Sequence, residues 1–413
     1  MKSIQMTSLD QDAIDPQNLS RWFDHLDRLL SELAGVWKPQ PFKQRRPAWC
    51  DEYPQLAEAL LALDDARYQQ LFEDAEALQS FLAEYISGYS ALRTLTRLPE
   101  PELQTSQPER HLDWEIPGRK WQQIDRFARA MGNVHGPLLE WCGGKGHLGR
   151  VLALRKQVPV TTLEHDAELC AQGEQLARRA GVQQVFRQVD VLSPHAPSLA
   201  GLHPVALHAC GELHRSLLRR VIAEGLEAVD IAPCCYHLGS GEQYRPFNEH
   251  ARLGLTRDDL RLAVTGHATA SRRELRQRDQ EMAWKLGFIE LRNHLQQRGY
   301  QALRPVDKQW LKLGFEGFCR ALAAREGVGL TPGIDWQHHE ALGWRRQHEV
   351  MRLSLPRHAV RRALELWLVL DMALSLAQHG YTIHLRSFCP SHISPRNILL
   401  SARRGAPAQY RPA

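Results

Sequence analysis

A chain of 413 residues, 43% hydrophobic and 24% charged, is long enough for more than one domain and is composed like a globular protein, not a disordered one. Its eight cysteines show no C-x-x-C spacing and no basic-then-apolar leader precedes them, which argues against a disulfide frame and predicts a reducing, cytoplasmic setting. The net charge of +5 hides an asymmetry: Met1 to Arg110 holds 11 Lys/Arg against 18 Asp/Glu, and the remainder 41 against 29, so the larger part is basic and suits a polyanion, nucleic acid above all.

In chain order, residues 1–110 read as an N-terminal helical domain. Trp22, Leu26, Leu29, Leu30 and Leu33, and then Leu60, Leu61, Tyr68, Leu71 and Phe72, recur at helical spacing within Leu19–Trp37 and Pro54–Leu92. A turn-rich joint between them carries Lys43, Arg45 and Arg46, candidates for an RNA contact. The proline-rich stretch Leu98–Asp113 reads as a linker, with a boundary near 110. A helix beginning at Pro117, with Trp121, Ile124, Phe127 and Ala128 on one face, is expected to pack beside the first strand.

The decisive stretch is PLLEWCGGKGHLGR, Pro137 to Arg150. A short apolar strand breaks into glycines and restarts as a helix, placing Gly144, Gly146 and Gly149 in G-x-G-x-x-G order, where bare backbone can approach a ligand closely. A second strand, PVTTLEHD, ends about 20 residues on in Glu164, a carboxylate placed for both hydroxyls of a ribose. A third, Val185–Leu192, carries Asp190 and Val191 at its tip. Three strand-turn units of this kind make a nucleoside site. Glu140, two residues before the turn, could meet a ligand amino group and Asp190 an adenine amine, so the ligand reads as S-adenosylmethionine and not NAD. The expected cofactor residues are Glu140, Cys142, Gly144, Lys145, Gly146, Glu164, Asp190 and Val191.

Two further strands follow, Val205–Ala209 and Val229–Ala232, with the loops HACGE and PCCYH after them. In a doubly wound sheet ligands sit beyond the carboxyl ends of the strands, so these loops should flank the transferable group, with His208, Cys210, Cys234, Tyr236 and His237 on the acceptor side. His208, Glu212 and His237 are the bases within reach of an acceptor. A thiolate nucleophile at Cys210 or Cys234 would serve cytosine C5 chemistry, although no Asp stands beside either, and small buried packing is the alternative for Cys234 and Cys235. A metal site from His208, Cys210, Cys235 and His237 is an alternative, because adjacent strands end together, but the spacing matches no standard zinc pattern and no metal is expected.

The motifs CGGKGHLGR, LHACGEL, CCYHL and ISPRNILL (Ile393–Leu400) together resemble a class I methyltransferase family that includes the eukaryotic methyltransferase-like proteins and the glutathione-transferase-C-terminal-domain-containing protein. More distantly, HACG and CCYH are similar to a motif pair of eukaryotic tRNA 2′-O-methyltransferases acting on the acceptor stem. The resemblance covers Pro117–Gly241 and Arg361–Ala402; Cys142 departs from it, standing where the family has its first glycine. It implies an α/β, Rossmann-like class I methyltransferase fold with a mostly parallel, doubly wound seven-stranded sheet.

The rest of the chain fits around that core. Residues 111–242 and 354–413 read as its two parts, and 243–353 as a basic helical insertion that would cap the pocket, with helices in Thr269–Leu295 and Lys308–Ala324 and phosphate contacts from Arg272, Arg273, Arg276 and Arg278. LELWLVLDMALSLA (Leu364–Ala377), broken by Asp371, is too short for a membrane span. YTIHLRSF and ISPRNILL read as a closing antiparallel hairpin, with Pro395 at an edge or bulge. The expected activity is methyl transfer to RNA, tRNA foremost. The lack of an Asn/Asp-Pro-Pro-aromatic loop after the fourth strand favours a ribose hydroxyl over an exocyclic amine. Alternatives are a protein or small-molecule acceptor, and a cofactor-binding adaptor without catalysis.

Overall fold

The computed structural model describes residues 13–100, 113, 115–264, 272–297 and 299–405. Most of the linker Leu98–Asp113, the boundary near 110, the start of the helix expected from Thr269, and the side chain of Arg272 lie outside the described residues.

The chain divides into two compact units, each discontinuous in sequence: Met1–Ser31 with Thr94–His267 and Arg361–Ala413, and Glu32–Arg93 with Ala268–Val360. The first helix, Pro16–Glu32, thus belongs with the sheet and not with the helices that follow it, a division other than the four consecutive segments expected. The reason is Asp27. Its buried carboxylate accepts from the Trp367 indole at 2.9 Å and from the backbone N–H groups of Arg252 and Leu253 at 3.0 and 3.1 Å, an attachment that hydrophobic periodicity does not reveal.

The first unit contains a seven-stranded sheet, with β1 Leu138–Trp141, β2 Val160–Glu164, β3 Gln184–Gln188, β4 His203–Cys210, β5 Ala228–Cys234, β6 Tyr381–Ser387 and β7 Ile398–Arg404 in the order β3-β2-β1-β4-β5-β7-β6. All neighbours are parallel except at β7, which runs against both β5 and β6. This is the mixed sheet with flanking helices that the sequence predicted, and β1 and β5 are buried along their full length, as strands covered on both faces must be. Pro395 lies in the loop before β7, which starts only at Ile398. The apolar run Leu364–Ala377 lies in the helix Arg361–Gln378 and is almost wholly buried. Asp371 interrupts that run to anchor a loop, accepting from Tyr244 Oη and from the N–H groups of Phe247 and Asn248 at 2.8–2.9 Å. No helix among the described residues is long and apolar enough to cross a membrane.

The second unit is helical, with long helices at Arg272–Gln296 and Trp336–Leu353. Trp284, Phe288, Phe315 and Phe318 form one core cluster in it. Buried arginines join its two sequence segments: Arg357 donates to the carbonyls of Trp37 and Pro39 at 2.6 and 3.1 Å, satisfying helix-end groups that would otherwise be orphaned. Arg46, one of the proposed RNA contacts, is paired with Asp51 at 2.9 Å, while Arg273, Arg276 and Arg278 are exposed.

Candidate active site

The turn after β1 is built from residues in the left-handed region. Cys142 (φ +55°), Gly144 (+60°) and Gly146 (+64°) reverse the chain so that the helix His147–Lys156 starts directly beyond the strand. Cys142 therefore stands where a glycine would be at ease, and the conformation costs on the order of 1 kcal/mol there. The glycines divide into two classes. A Cβ at Gly143, Gly146 or Gly149 would come within 2.4–2.7 Å of other atoms, so these three permit packing. A Cβ at Gly144 would meet nothing within 4 Å: the missing side chain leaves space open.

Glu140 explains much of that packing. Its carboxylate is buried, accepts from Thr162 Oγ1 at 2.8 Å and Gln184 Nε2 at 3.4 Å, and is also held by the N–H groups of Leu148 and Gly149 at the start of the helix. Burial pushes its pKa up to about 7 despite these donors. Glu140 thus ties β1 to the helix, and it also lines the cleft described next, on the side of the turn where a ligand amino group was expected.

Glu164, at the carboxyl end of β2, takes the other side of the turn. One of its oxygens accepts from Gly144 N at 2.9 Å and the other from His165 N and Asp166 N at 2.8 and 3.1 Å. Glu164, Gly144 and Cys142 line a cleft of about 570 Å³ together with Lys120, Leu207 and His208. The volume is within the range of sites for small organic ligands. It opens where the sheet order reverses, between β1 and β4, the place at which doubly wound sheets bind ligands. An open space at Gly144, a carboxylate at the rim and a turn without side chains fit an adenosyl group.

On the β4 side a bulge between Leu207 and Cys210 shifts the register with β5 and puts His208 at φ +66°. His208 lines the cleft, its Nδ1 is buried without a hydrogen-bond partner, and burial lowers its pKa to about 4, so it is a neutral imidazole at ordinary pH. Beyond the bulge, Cys210 pairs with Cys234 in register, and their Sγ atoms are 3.4 Å apart. Cys235, at φ +47°, is the third left-handed non-glycine residue at this edge, after Cys142 and His208. Hydrogen bonds from Cys210 and Cys234 hold its thiol well below the ordinary range, while Cys234 is pushed far above it. Strained backbone gathered at one edge of a sheet marks functional sites more often than it marks simple packing.

Other expected residues differ in their placement. Lys145 is exposed and does not line the cleft, while Asp190 is exposed, accepts from Leu192 N at 3.0 Å through one oxygen, and acts by its charge on Cys142 in the turn. Val191 is buried beside it. Tyr236 is buried, with its ring 5.5 Å from that of His214, so it belongs to the core and not to an acceptor surface. Glu212 is paired with Arg215 and Arg219, whereas His237 is half-buried with Nδ1 unpartnered. The helix Gly118–Ala130 supplies cleft residues that sequence reasoning missed: Arg119 and Gln123 both donate to the carbonyl of Ile393, at 2.9 and 3.0 Å, and Lys120, between them, brings a positive charge that acts on both Glu140 and His208. The only signal was the basic pair Arg119-Lys120 directly after a helix start.

Residues 119–242, the stretch from this helix through β5 to the end of the CCYH loop, match the family described as Methyltransferase domain. This segment is a methyltransferase domain. Its methyl donor is S-adenosylmethionine. No curated protein matches the chain. Among solved structures, the [4+2]-cyclase SpnF is similar at 20% identity over 29% of this chain and 48% of that one, with a TM-score of 0.25. The 23S rRNA methyltransferase ErmE is similar at 22% over 27% and 44%, TM-score 0.23, and coclaurine N-methyltransferase bound to N-methylheliamine and SAH at 13% over 78% and 92%, TM-score 0.27. The chain spans less than half the length of the first two, and similarities this low carry no residue roles to the methyltransferase domain.

Proposed function

We propose that the chain is an S-adenosylmethionine-dependent RNA methyltransferase, with a tRNA ribose 2′-hydroxyl as the favoured acceptor. The observation that carries this reading is His208: a neutral, unpartnered imidazole on the wall of the cofactor cleft is equipped to take a proton from a hydroxyl. The fourth strand ends in His208-Ala209-Cys210 and passes through Gly211 into the next helix, without the Asn/Asp-Pro-Pro-aromatic loop that an exocyclic amine acceptor calls for. The excess of 41 Lys/Arg over 29 Asp/Glu after residue 110 supports a polyanionic substrate, and the likeness of HACG and CCYH to the tRNA acceptor-stem enzymes supports tRNA.

When bound, S-adenosylmethionine supplies an electrophilic methyl group. The chain supplies the rest. Glu164 holds the ribose hydroxyls, the bare backbone at Gly144 lets the adenosyl group lie close, and Lys120 draws the carboxylate end of the donor. His208 accepts the acceptor's proton, and the site's further task is alignment and exclusion of water. Nucleoside mass spectrometry of RNA from cells lacking the protein should show one methylated nucleoside lost and restored by the purified protein with S-adenosylmethionine. RNA pools unchanged in every methylated nucleoside would turn the reading to a protein or small-molecule acceptor.

A further inference from the structure

The three cysteines at the ends of β4 and β5 form a group that methyl transfer to a hydroxyl does not need. The Sγ atoms of Cys210, Cys234 and Cys235 all lie within 4.8 Å of one another, with the Cys210–Cys234 pair at 3.4 Å, and all three thiols are free. Three sulfurs bound to one zinc ion at about 2.3 Å stand about 3.8 Å apart in tetrahedral geometry, a value between those two limits, so small side-chain movements would close the set. The sequence hides the cluster because its spacing, one cysteine and then an adjacent pair 24 residues on, is unlike a zinc motif; parallel pairing of β4 with β5 and the bulge after Leu207 create it.

One further feature points to an ion. Arg396 extends a positive charge toward both Cys210 and Cys235, which would offset the surplus negative charge of three thiolates on a divalent cation. Cys210 and Cys235 are only half-buried, so an ion has a route in.

We propose that Cys210, Cys234 and Cys235 bind one zinc ion through their thiolates and leave its fourth position open. Binding breaks three S–H bonds, forms three Zn–S bonds and releases three protons to the solvent. The site does not depend on RNA being the acceptor.

The test uses the full chain, purified under reductant, loaded with Zn²⁺ and freed of excess. Elemental analysis should give one zinc per chain, falling at least fivefold in Cys235→Ser and in the Cys210→Ser/Cys234→Ser double variant and staying at one in Cys389→Ser, a buried cysteine outside the cluster. Should either cluster variant fail to fold, Co²⁺ loading of the wild type decides: a thiolate-to-cobalt charge-transfer band with the intensity of three sulfur ligands supports the site, and its absence overturns it. Wild-type protein without stoichiometric zinc, variants that retain it, or a Cys210–Cys234 disulfide in protein kept reduced would each also overturn the proposal.

Discussion

Replacing Glu140 with glutamine tests the account of the turn without changing its shape. In the folded protein burial raises the Glu140 pKa from 4.5 to about 7, so the native state holds this proton more tightly than the unfolded chain does. Stability from this group is thus fully present below the unfolded pKa of 4.5, declines as pH rises, and is lost once pH passes about 7. A shift of this size amounts to about 3 kcal/mol in full, and to about 2.5 kcal/mol between pH values of about 5 and about 8. Glutamine keeps the shape and cannot ionise, so Glu140→Gln lacks this slope. Thermal melts of cofactor-free wild type and variant at both pH values should show the wild type losing roughly 5–10 °C more than the variant on going to the alkaline side. Curves that run parallel would refute the placement of a buried, ionisable carboxylate behind the glycine turn.

Three other outcomes follow from the same geometry. Gly146→Ala would put a Cβ 2.4 Å from both Gln184 Nε2 and Phe186 Cζ at a positive φ, so denaturant unfolding should show a loss of about 1–3 kcal/mol, with weakened donor binding. His208→Ala should bind S-adenosylmethionine as the wild type does and lose about 10²–10⁴ in kcat; the lowered pKa of about 4 keeps the imidazole deprotonated above that value, so the wild-type rate should not fall between about pH 6 and 5 on its account. Asp27→Ala removes the acceptor for Trp367, Arg252 and Leu253 in a buried site and should cost about 3 kcal/mol or more, and a loss below about 1 kcal/mol would show that the first helix is held otherwise.

What could be read from the sequence was what depends on short-range spacing. The glycine turn, Glu164 twenty residues on and the strand-helix alternation are local patterns, and the seven-stranded sheet contains the strands they mark. Cys142 was legible as an anomaly, and its left-handed φ gives the reason. The internal ties of Glu140 were not legible, because which neighbours a carboxylate on a buried strand meets depends on Thr162 and Gln184, 22 and 44 residues away. Asp190 falls two residues past the end of β3, which stops at Gln188. Lys120 could not be found by periodicity, which reports the buried face of its helix and is silent on which polar residue borders a cleft. The meeting of three thiols needs a bulge, and a bulge leaves little trace in a sequence with no glycine at its first residue.

The central claim is that Glu164 and the bare turn at Gly144 hold one adenosyl group. Isothermal titration of the full chain with S-adenosylmethionine tests it most directly. The account predicts one molecule bound per chain, with affinity reduced at least tenfold in Glu164→Ala, which loses the ribose contact and also loosens the turn by leaving Gly144 N without its acceptor. Absence of binding to the wild type, or equal affinity in the variant, would contradict it.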